Sequence, residues 1–190
     1  MKYESIDSKL FIKNRANFSR EMKKNSIAFF NSNDIYPVSA DSTLPFEQHR
    51  DIFYLSGIDQ EESILVLCPD NPNPDLREIL FLKETNDHIA VWEGPKINKT
   101  QALEISGIKT VFWLKDLEKL VDKLVSTCHN IYFNKNEHYR AKIETETREA
   151  RFNIWLEKKY PKKNKERSNP ILQRLRSIKD HKEISLIQQA

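Results

Sequence analysis

The chain contains 190 residues, of which 38% are hydrophobic and 31% are charged. That balance is too apolar for an intrinsically disordered chain and too polar for a membrane protein. The longest uninterrupted apolar stretch, Ile64 to Cys68, is far shorter than the roughly 20 residues that cross a bilayer. The formal net charge of +3 is too small to indicate nucleic-acid binding by the chain as a whole.

The first half of the chain predicts an amphipathic helix followed by four short strands. Apolar residues recur at helical spacing between Ser8 and Lys24, and the apolar run from Ser26 to Phe30 is typical of a buried strand. A long polar connection then leads to Phe46. Branched and aromatic residues predict three more strands, expected to be consecutive antiparallel neighbours, at Asp51 to Ser56, Ser63 to Cys68 and Glu78 to Lys83.

The second half alternates helix and strand patterns. Lys99 to Ser106 is predicted to form a short helix that ends at Gly107, because glycine commonly terminates helices. Strands are predicted at residues 110–114 and 130–134, and helices at residues 117–125, at 137–160 and from near Asp180 onward. Together these elements predict an α/β fold in which a mixed sheet of five or six strands is flanked by helices.

Basic residues cluster in one segment, Lys158 to Arg167, where six of them accompany a single acidic residue, Glu166. A patch that binds phosphate or an anionic partner and a solvated linker both fit this composition. The linker is the favoured interpretation, because charge runs are usually solvated.

Sequence motifs for catalysis are missing, so we expect neither catalytic residues nor metal ligands in this chain. Three glycines cannot supply a phosphate-binding loop, and the five histidines show no metal-ligand spacing. Cys68 and Cys128 are far apart and form no C-x-x-C pattern, so we expect two ordinary buried thiols without a disulfide. These thiols and the lack of an apolar N-terminal segment favour a cytoplasmic location.

Two stretches are harder to explain by a purely structural role. In Ser39 to Gly57, a polar loop that carries Asp41 runs into an aromatic-rich segment, and in Ala90 to Lys96 a Gly-Pro pair follows closely after Trp92. A turn there would hold the indole at a loop tip, where rigid aromatic side chains serve recognition surfaces. Burial of Trp92 in the core fits the sequence equally well.

These stretches resemble the N-terminal domain of aminopeptidase P, a Xaa-Pro aminopeptidase of the creatinase/prolidase superfamily. The segment from Leu172 to Ala190 also resembles the stretch by which such domains enter a catalytic domain. Each motif is short, but their order and spacing together are specific. The residues that carry the resemblance are Asp41, Phe46, Gln48, Asp51, Phe53, Tyr54, Leu55 and Gly57, followed by Trp92, Gly94 and Pro95.

The resemblance implies a creatinase-type N-terminal domain with a ribonuclease-H-like sheet over residues 1–175. It implies that residues 176–190 begin the linker or first helix of an absent metallopeptidase domain. That domain is expected to hold two divalent metals, usually manganese, through Asp, His and Glu ligands beyond Ala190, and to hydrolyse the bond before a proline with a metal-bridging hydroxide. The present chain alone is then expected to be inactive.

The resemblance also implies roles for two residues of this chain. Trp92 would cap the proline side of the substrate, and Asp41 would make a polar contact in the same region. The expected partners are a proline-containing peptide as substrate and further copies of the chain in a homo-oligomer. No nucleic-acid or membrane partner is expected.

Three other functions are compatible with the sequence alone. A prolidase, which cleaves only dipeptides, shares the N-terminal architecture, and a non-catalytic protein-binding module of the same fold would use the basic segment from Lys158 to Arg167. A stand-alone interaction domain that is complete at Ala190 is disfavoured. Its terminal helix would leave Ile184 and Ile187 exposed, so we interpret the chain as part of a longer protein.

Overall fold

The computed structural model describes residues 5–141 and 145–189, without the side chains of residues 87, 92 and 93. The α-helices are α1 (Ser8–Glu21), α2 (Arg50–Ser56), α3 (Asp87–Glu93), α4 (Lys99–Ser106), α5 (Leu117–Ser126), α6 (Arg148–Lys159), α7 (Asn169–Ser177) and α8 (His181–Gln189). The strands are β1 (Ser26–Asn31), β2 (Pro37–Ser39), β3 (Ser42–Thr43), β4 (Ile64–Leu67), β5 (Glu78–Leu82), β6 (Thr110–Trp113), β7 (Asn130–Phe133) and β8 (Asn164–Arg167).

Six of the described strands form one mixed sheet in the order β6-β5-β4-β1-β7-β8. Strand β4 pairs antiparallel with β1 and β5, as expected for β4 and β5, whereas β7 pairs parallel with β1 and β8, and β6 pairs parallel with β5. The predicted α/β fold with a mixed sheet flanked by helices is therefore confirmed. Strands β2 and β3 form a separate hairpin within the long polar connection.

The centre of the sheet is buried on both faces, because alternate residues of its central strand pack against different helix layers. In β1, Phe30 belongs to a core shared with α1, α2, α4 and α7, whereas Phe29 belongs to a core shared with α5 and α6. Phe18 of α1 meets Phe30 edge-on, with ring centroids 5.2 Å apart, and Phe152 of α6 lies 5.4 Å from Phe29. Every residue of β1 is buried, which explains the apolar run from Ile27 to Phe30 at its centre.

The prediction of a strand at Asp51 to Ser56 is wrong, because this segment forms helix α2. The His49 side chain caps the helix by accepting a hydrogen bond from a backbone N–H of the first turn, and Gly57 ends the helix with a φ of 70°. Ile52 and Leu55 are both fully buried, and their spacing of three is helical. Branched and aromatic composition favours strands, but the packing of this face against the sheet overrides that preference.

The helix predicted at residues 137–160 is shorter than expected. It begins only at Arg148, after Thr147, whose side chain caps the first turn by accepting a hydrogen bond from the Ala150 N–H. Its last helical residue, Lys159, lies one residue before the predicted end. Within the described parts of the chain, no helix is both long and apolar enough to cross a membrane.

The basic segment is not a linker, because its second half forms the edge strand β8. The side chain of Arg167 in this strand pairs with Glu137, and Lys165 pairs with Glu157 of α6. Most of the strand is exposed to solvent, as the sequence predicted for the segment. Exposed charges on an edge strand discourage pairing with other chains.

Candidate functional site

Buried polar residues gather where the parallel strands β1, β7 and β8 end. Asn31 is the last residue of β1, Asn134 directly follows β7, and Ser168 directly follows β8. All three are almost completely buried, and each has a side-chain oxygen without a hydrogen-bond partner among the described residues. Because ligand sites in α/β proteins commonly form at the carboxyl ends of parallel strands, this edge of the sheet is the candidate site.

Three helices bring charged side chains to this edge, and we call His49, Asp51, Asn134, Glu149 and Arg176 the polar cluster. Asp51 Oδ2 accepts a hydrogen bond from Asn134 Nδ2 at 3.0 Å, and its Oδ1 accepts one from Arg176 Nη1 at 2.7 Å. The His49 ring lies between the two carboxyl groups, with Nδ1 3.7 Å from Asp51 Oδ2 and Nε2 3.7 Å from Glu149 Oε2. The polar cluster therefore joins α2, α6 and α7 to the end of β7.

Burial sets the protonation states in the polar cluster. Desolvation, reinforced by the negative charge of Asp51, raises the pKa of Glu149 to about 8, and desolvation lowers the pKa of His49. Both groups are therefore mainly neutral at pH 7. Glu149 Oε1 and Asn134 Oδ1 are both buried and lack hydrogen-bond partners among the described residues.

Two grooves flank the polar cluster. The larger one, which we call the helix groove, has a volume of about 790 Å³ and lies between α1 and α2 on one side and α7 and α8 on the other. The smaller groove, about 560 Å³, lies beside α6 and is lined by His49 and Glu149. Asp51 and Arg176 line the helix groove. The apolar side chains along the helix groove include Leu10, Phe11, Phe53, Leu172, Leu186 and Ile187.

Helix α8 leaves large apolar side chains exposed beside the helix groove. Ile184 is 42% exposed, Ile187 is 62% exposed, and Ile178, just before the helix, is 83% exposed. An ion pair between Lys182 and Asp7, with Nζ and Oδ2 3.0 Å apart, holds α8 near the start of α1. Ile184 and Ile187 are three residues apart and therefore share one face of α8, which is suited to contact another folded surface.

The polar cluster is better suited to holding helices together than to metal chemistry. In residues 5–141 and 145–189, no group of three or more His, Cys, Asp or Glu side chains is placed to hold a metal ion. Arg176 and Asn134 already occupy the oxygens of Asp51, and the protonated form of Glu149 carries no charge to attract a cation. We therefore assign the polar cluster a structural role, which is to fix α7, and with it the start of α8, against α2.

The polar cluster contains neither of the two residues that the resemblance placed near a substrate. Asp41 is exposed at the turn of the β2–β3 hairpin, next to Ala40, whose φ of 50° is left-handed. Trp92 belongs to α3, and its side chain lies outside the described residues, so its orientation stays a prediction. Gly94 ends α3 with a φ of 77°, and the backbone of Trp92 lies within this helix and not at the tip of the predicted turn.

No sequence motif predicted Glu149 or Arg176 as site residues, and Asp51 was indicated only by the family resemblance. A signal for Glu149 exists, because Glu149, Asn153 and Leu156 are buried along one face of α6 at helical spacing. Polar residues on the buried face of an amphipathic helix indicate a buried polar site. No comparable signal exists for Arg176, since its partner Asp51 lies 125 residues away in the sequence.

Comparison with known proteins agrees with this architecture. A family model described as the aminopeptidase P N-terminal domain matches residues 11–132, which is more than half of the chain. Xaa-Pro aminopeptidase 3 from Homo sapiens is 28% identical over 160 residues, and the match covers 83% of this chain and 31% of that protein. The chain therefore corresponds to only part of this relative.

Solved structures show the same fold. A protein from Bacillus anthracis assigned as an aminopeptidase P matches with a TM-score of 0.86 at 25% identity, over 97% of this chain and 44% of that chain. Zinc-substituted aminopeptidase P from Escherichia coli, in complex with product, matches with a TM-score of 0.76 at 20% identity, over 98% of this chain and 42% of that chain. By sequence and by fold, the chain belongs to the family of aminopeptidase P N-terminal domains.

Proposed function

We propose that this chain is the non-catalytic N-terminal domain of a Xaa-Pro aminopeptidase, an enzyme that removes the N-terminal residue preceding a proline. The observation that carries the proposal is the family match over residues 11–132 in a chain that spans 31% of a named Xaa-Pro aminopeptidase. Hydrolysis is assigned to a separate metallopeptidase domain with two divalent metals, which we propose to be manganese. Those metals supply an activated water when bound, and the described residues of the present chain offer them no ligand group.

The helix groove and the exposed face of α8 are the proposed contact surface for that metallopeptidase domain. The support is the exposure of Ile184 and Ile187 next to a groove lined by apolar side chains. The proposed boundary between residues 175 and 176 lies near the end of α7, which Arg176 fixes to Asp51. An N-terminal domain anchored in this way would hold α8 in a defined orientation for the domain that follows.

Asp41 and Trp92 are proposed to reach the active-site rim, either in the same subunit or in a neighbouring subunit of a homo-oligomer. Asp41 is exposed at the tip of a hairpin, and loop tips on a rigid scaffold commonly supply binding residues. The proposed substrate is a peptide with proline at its second position. The proposed compartment is the cytoplasm, which two free cysteines support.

The test is hydrolysis of a Xaa-Pro peptide by the proposed full-length enzyme with manganese added. Trp92→Ala and Asp41→Asn are expected to lower kcat/KM by about tenfold or more if both side chains contact the bound substrate. Val91→Ala is the matched control, because Val91 is the neighbour of Trp92 on α3 and its side chain is 76% exposed. This control is expected to leave kcat/KM unchanged.

The possible outcomes test the peptidase activity, the prolidase alternative and the roles of Trp92 and Asp41 separately. A full-length protein that hydrolyses no Xaa-Pro peptide would contradict the assigned activity. Hydrolysis of Xaa-Pro dipeptides alone, with longer peptides left intact, would identify a prolidase. Unchanged kinetics in both the Trp92 and Asp41 variants would retain the peptidase assignment and reject the rim roles.

A further inference from the structure

Two cysteines that are 60 residues apart in the sequence meet inside the protein. Cys68 directly follows β4, and Cys128 lies just before β7. Strands β4 and β7 flank β1, one antiparallel and the other parallel to it, so the end of β4 and the start of β7 lie at the same edge of the sheet. The two sulfur atoms are 3.5 Å apart, and both thiols are free and buried.

The surroundings shift the pKa values of the two thiols in opposite directions. Thr127 Oγ1 lies 3.9 Å from Cys128 Sγ, Lys163 Nζ donates a hydrogen bond to the Cys128 carbonyl oxygen, and Asn71 Nδ2 lies 4.0 Å from Cys68 Sγ. The contact with Cys68, supported by Thr127 and the charge of Lys163, lowers the pKa of Cys128. The same contact raises the pKa of Cys68. Cys128 is therefore the sulfur that ionises first.

We propose that Cys68 and Cys128 form a redox-active dithiol, which a peroxide converts into a reversible intramolecular disulfide. A disulfide requires a sulfur–sulfur distance of about 2.05 Å, so the two sulfurs, now 3.5 Å apart, must approach each other by roughly 1.5 Å. The pair lies close to the surface, because Asp70, Thr127 and His129 are exposed. A small oxidant therefore needs only local movement to reach the sulfurs.

The reaction balances with one peroxide for each pair. The Cys128 thiolate attacks a peroxide oxygen, the O–O bond breaks, and the sulfenic acid forms while the leaving hydroxide takes up a proton as water. The Cys68 sulfur then attacks the Cys128 sulfur, the S–S bond forms, and the S–O bond breaks to release a second water with the Cys68 proton. The two thiols lose two electrons, and the peroxide is reduced to two waters. A reducing dithiol reverses the product by exchange.

The experiment is a hydrogen peroxide titration of the 190-residue chain, followed by denaturation, alkylation of the remaining thiols with iodoacetamide and peptide mapping by mass spectrometry. The chain contains only two cysteines, so the products are few. We expect both thiols to be lost together, a single linked peptide that contains Cys68 and Cys128 to appear, and dithiothreitol to restore both. Because the cross-link restricts the unfolded chain, the oxidised protein is expected to melt roughly 5 to 15 °C higher.

Serine variants test which of the two cysteines reacts with peroxide first. In Cys68→Ser, peroxide is expected to stop at a Cys128 sulfenic acid that dimedone traps, and in Cys128→Ser the remaining thiol is expected to react more slowly. The proposal is overturned if the wild-type chain yields only disulfides between chains, or sulfinic and sulfonic acids without the linked peptide. It is also overturned if both thiols survive a peroxide dose that oxidises the denatured chain.

A second measurement needs no variant. Phenylarsine oxide reacts with two neighbouring thiols, and arsenic bonds to both sulfurs while one water leaves. The folded wild-type chain is expected to take up one arsenical that protects both Cys68 and Cys128 from iodoacetamide, and a dithiol is expected to remove it. An arsenical that protects only one of the two cysteines, or neither, would contradict the proposed dithiol.

Discussion

Arg15 is fully buried, and its charged guanidinium group hydrogen-bonds to three other elements, α2, α4 and β5. Its Nη1 donates to the backbone oxygens of Leu55 and Ser106, each at 2.9 Å, and its Nε donates to Glu78 Oε2 at 2.9 Å. The two backbone oxygens lie at the carboxyl ends of α2 and α4, where the helix dipole favours a positive charge. We predict that Arg15→Met lowers the free energy of unfolding by about 3 to 5 kcal/mol, because it leaves these acceptors without their donor.

Urea denaturation measures this change, and Arg20→Met is the matched control. Arg20 is on the same helix but exposed, so its replacement is expected to change the free energy of unfolding by less than about 0.5 kcal/mol. A loss below about 1 kcal/mol for Arg15→Met would mean that the helix ends do not depend on this side chain.

Glycine is required at position 57 because the backbone there is left-handed and because α1 packs closely against it. Its φ is 70°, and a Cβ at this position would lie 2.3 Å from Phe11 Cε2. We predict that Gly57→Ala lowers the free energy of unfolding by about 2 to 4 kcal/mol, measured by urea denaturation. In a Phe11→Leu background, which lacks the ring atoms nearest to that Cβ, the same substitution is expected to cost less, and additive losses would contradict the clash.

At the scale of elements, sequence prediction succeeded where local signals decide the structure. Helix α4 and its end at Gly107 were predicted to the residue, because Asn98 and Gln101 form a reciprocal cap and Gly107 has a φ of 73°. Helix α2 was mistaken for a strand, because its composition favours a strand and its burial depends on contacts with the sheet. Strand β8 was missed because its residues are polar and its pairing with β7 is parallel and distant in sequence.

The first turn of α6 carries a carboxyl group that makes stability depend on pH. In the folded chain Glu149 has a pKa of about 8, against an ordinary value of 4.5, so the folded state keeps a proton that the unfolded state releases. Its contribution to stability is therefore lost progressively as the pH rises from about 4.5 to about 8. We predict that Glu149→Gln is about as stable as the wild type near pH 5 and more stable by about 3 to 5 kcal/mol near pH 8 to 9.

Urea denaturation at several pH values measures this difference. The depressed pKa of His49 gives a slope of the opposite sign, but His49 is present in both proteins and largely cancels in the comparison. Glu146→Gln is the matched control, because Glu146 is exposed just before α6 and its substitution is expected to leave the pH profile unchanged. A constant difference between Glu149→Gln and the wild type across this range would contradict a raised pKa of Glu149 in the folded chain.

For the molecule as a whole, the ordered motifs of the chain predicted the fold and the family, but not the polar cluster. The motif from Asp41 to Gly57 is continuous in sequence, so it could be recognised without a structure. The polar cluster joins residues from four separate segments, and contacts such as Asp51 with Arg176 arise only when the sheet and helices pack. The meeting of Cys68 and Cys128 across β1 has the same origin, which is why their sequence spacing predicted two unrelated thiols.

Two substitutions distinguish the proposed contact surface for a metallopeptidase domain from the hydrophobic core of the present domain. Leu172 of α7 is buried, whereas Ile187 of α8 is 62% exposed. In the 190-residue chain, Leu172→Ala is expected to lower the free energy of unfolding by about 2 to 5 kcal/mol, and Ile187→Glu by less than about 0.5 kcal/mol. In the proposed full-length enzyme, Ile187→Glu is expected to lower the melting temperature and the Xaa-Pro peptidase activity, because it places a charge between the two domains. A large loss for Ile187→Glu in the 190-residue chain itself would assign α8 to the core of this domain and remove the support for the contact surface.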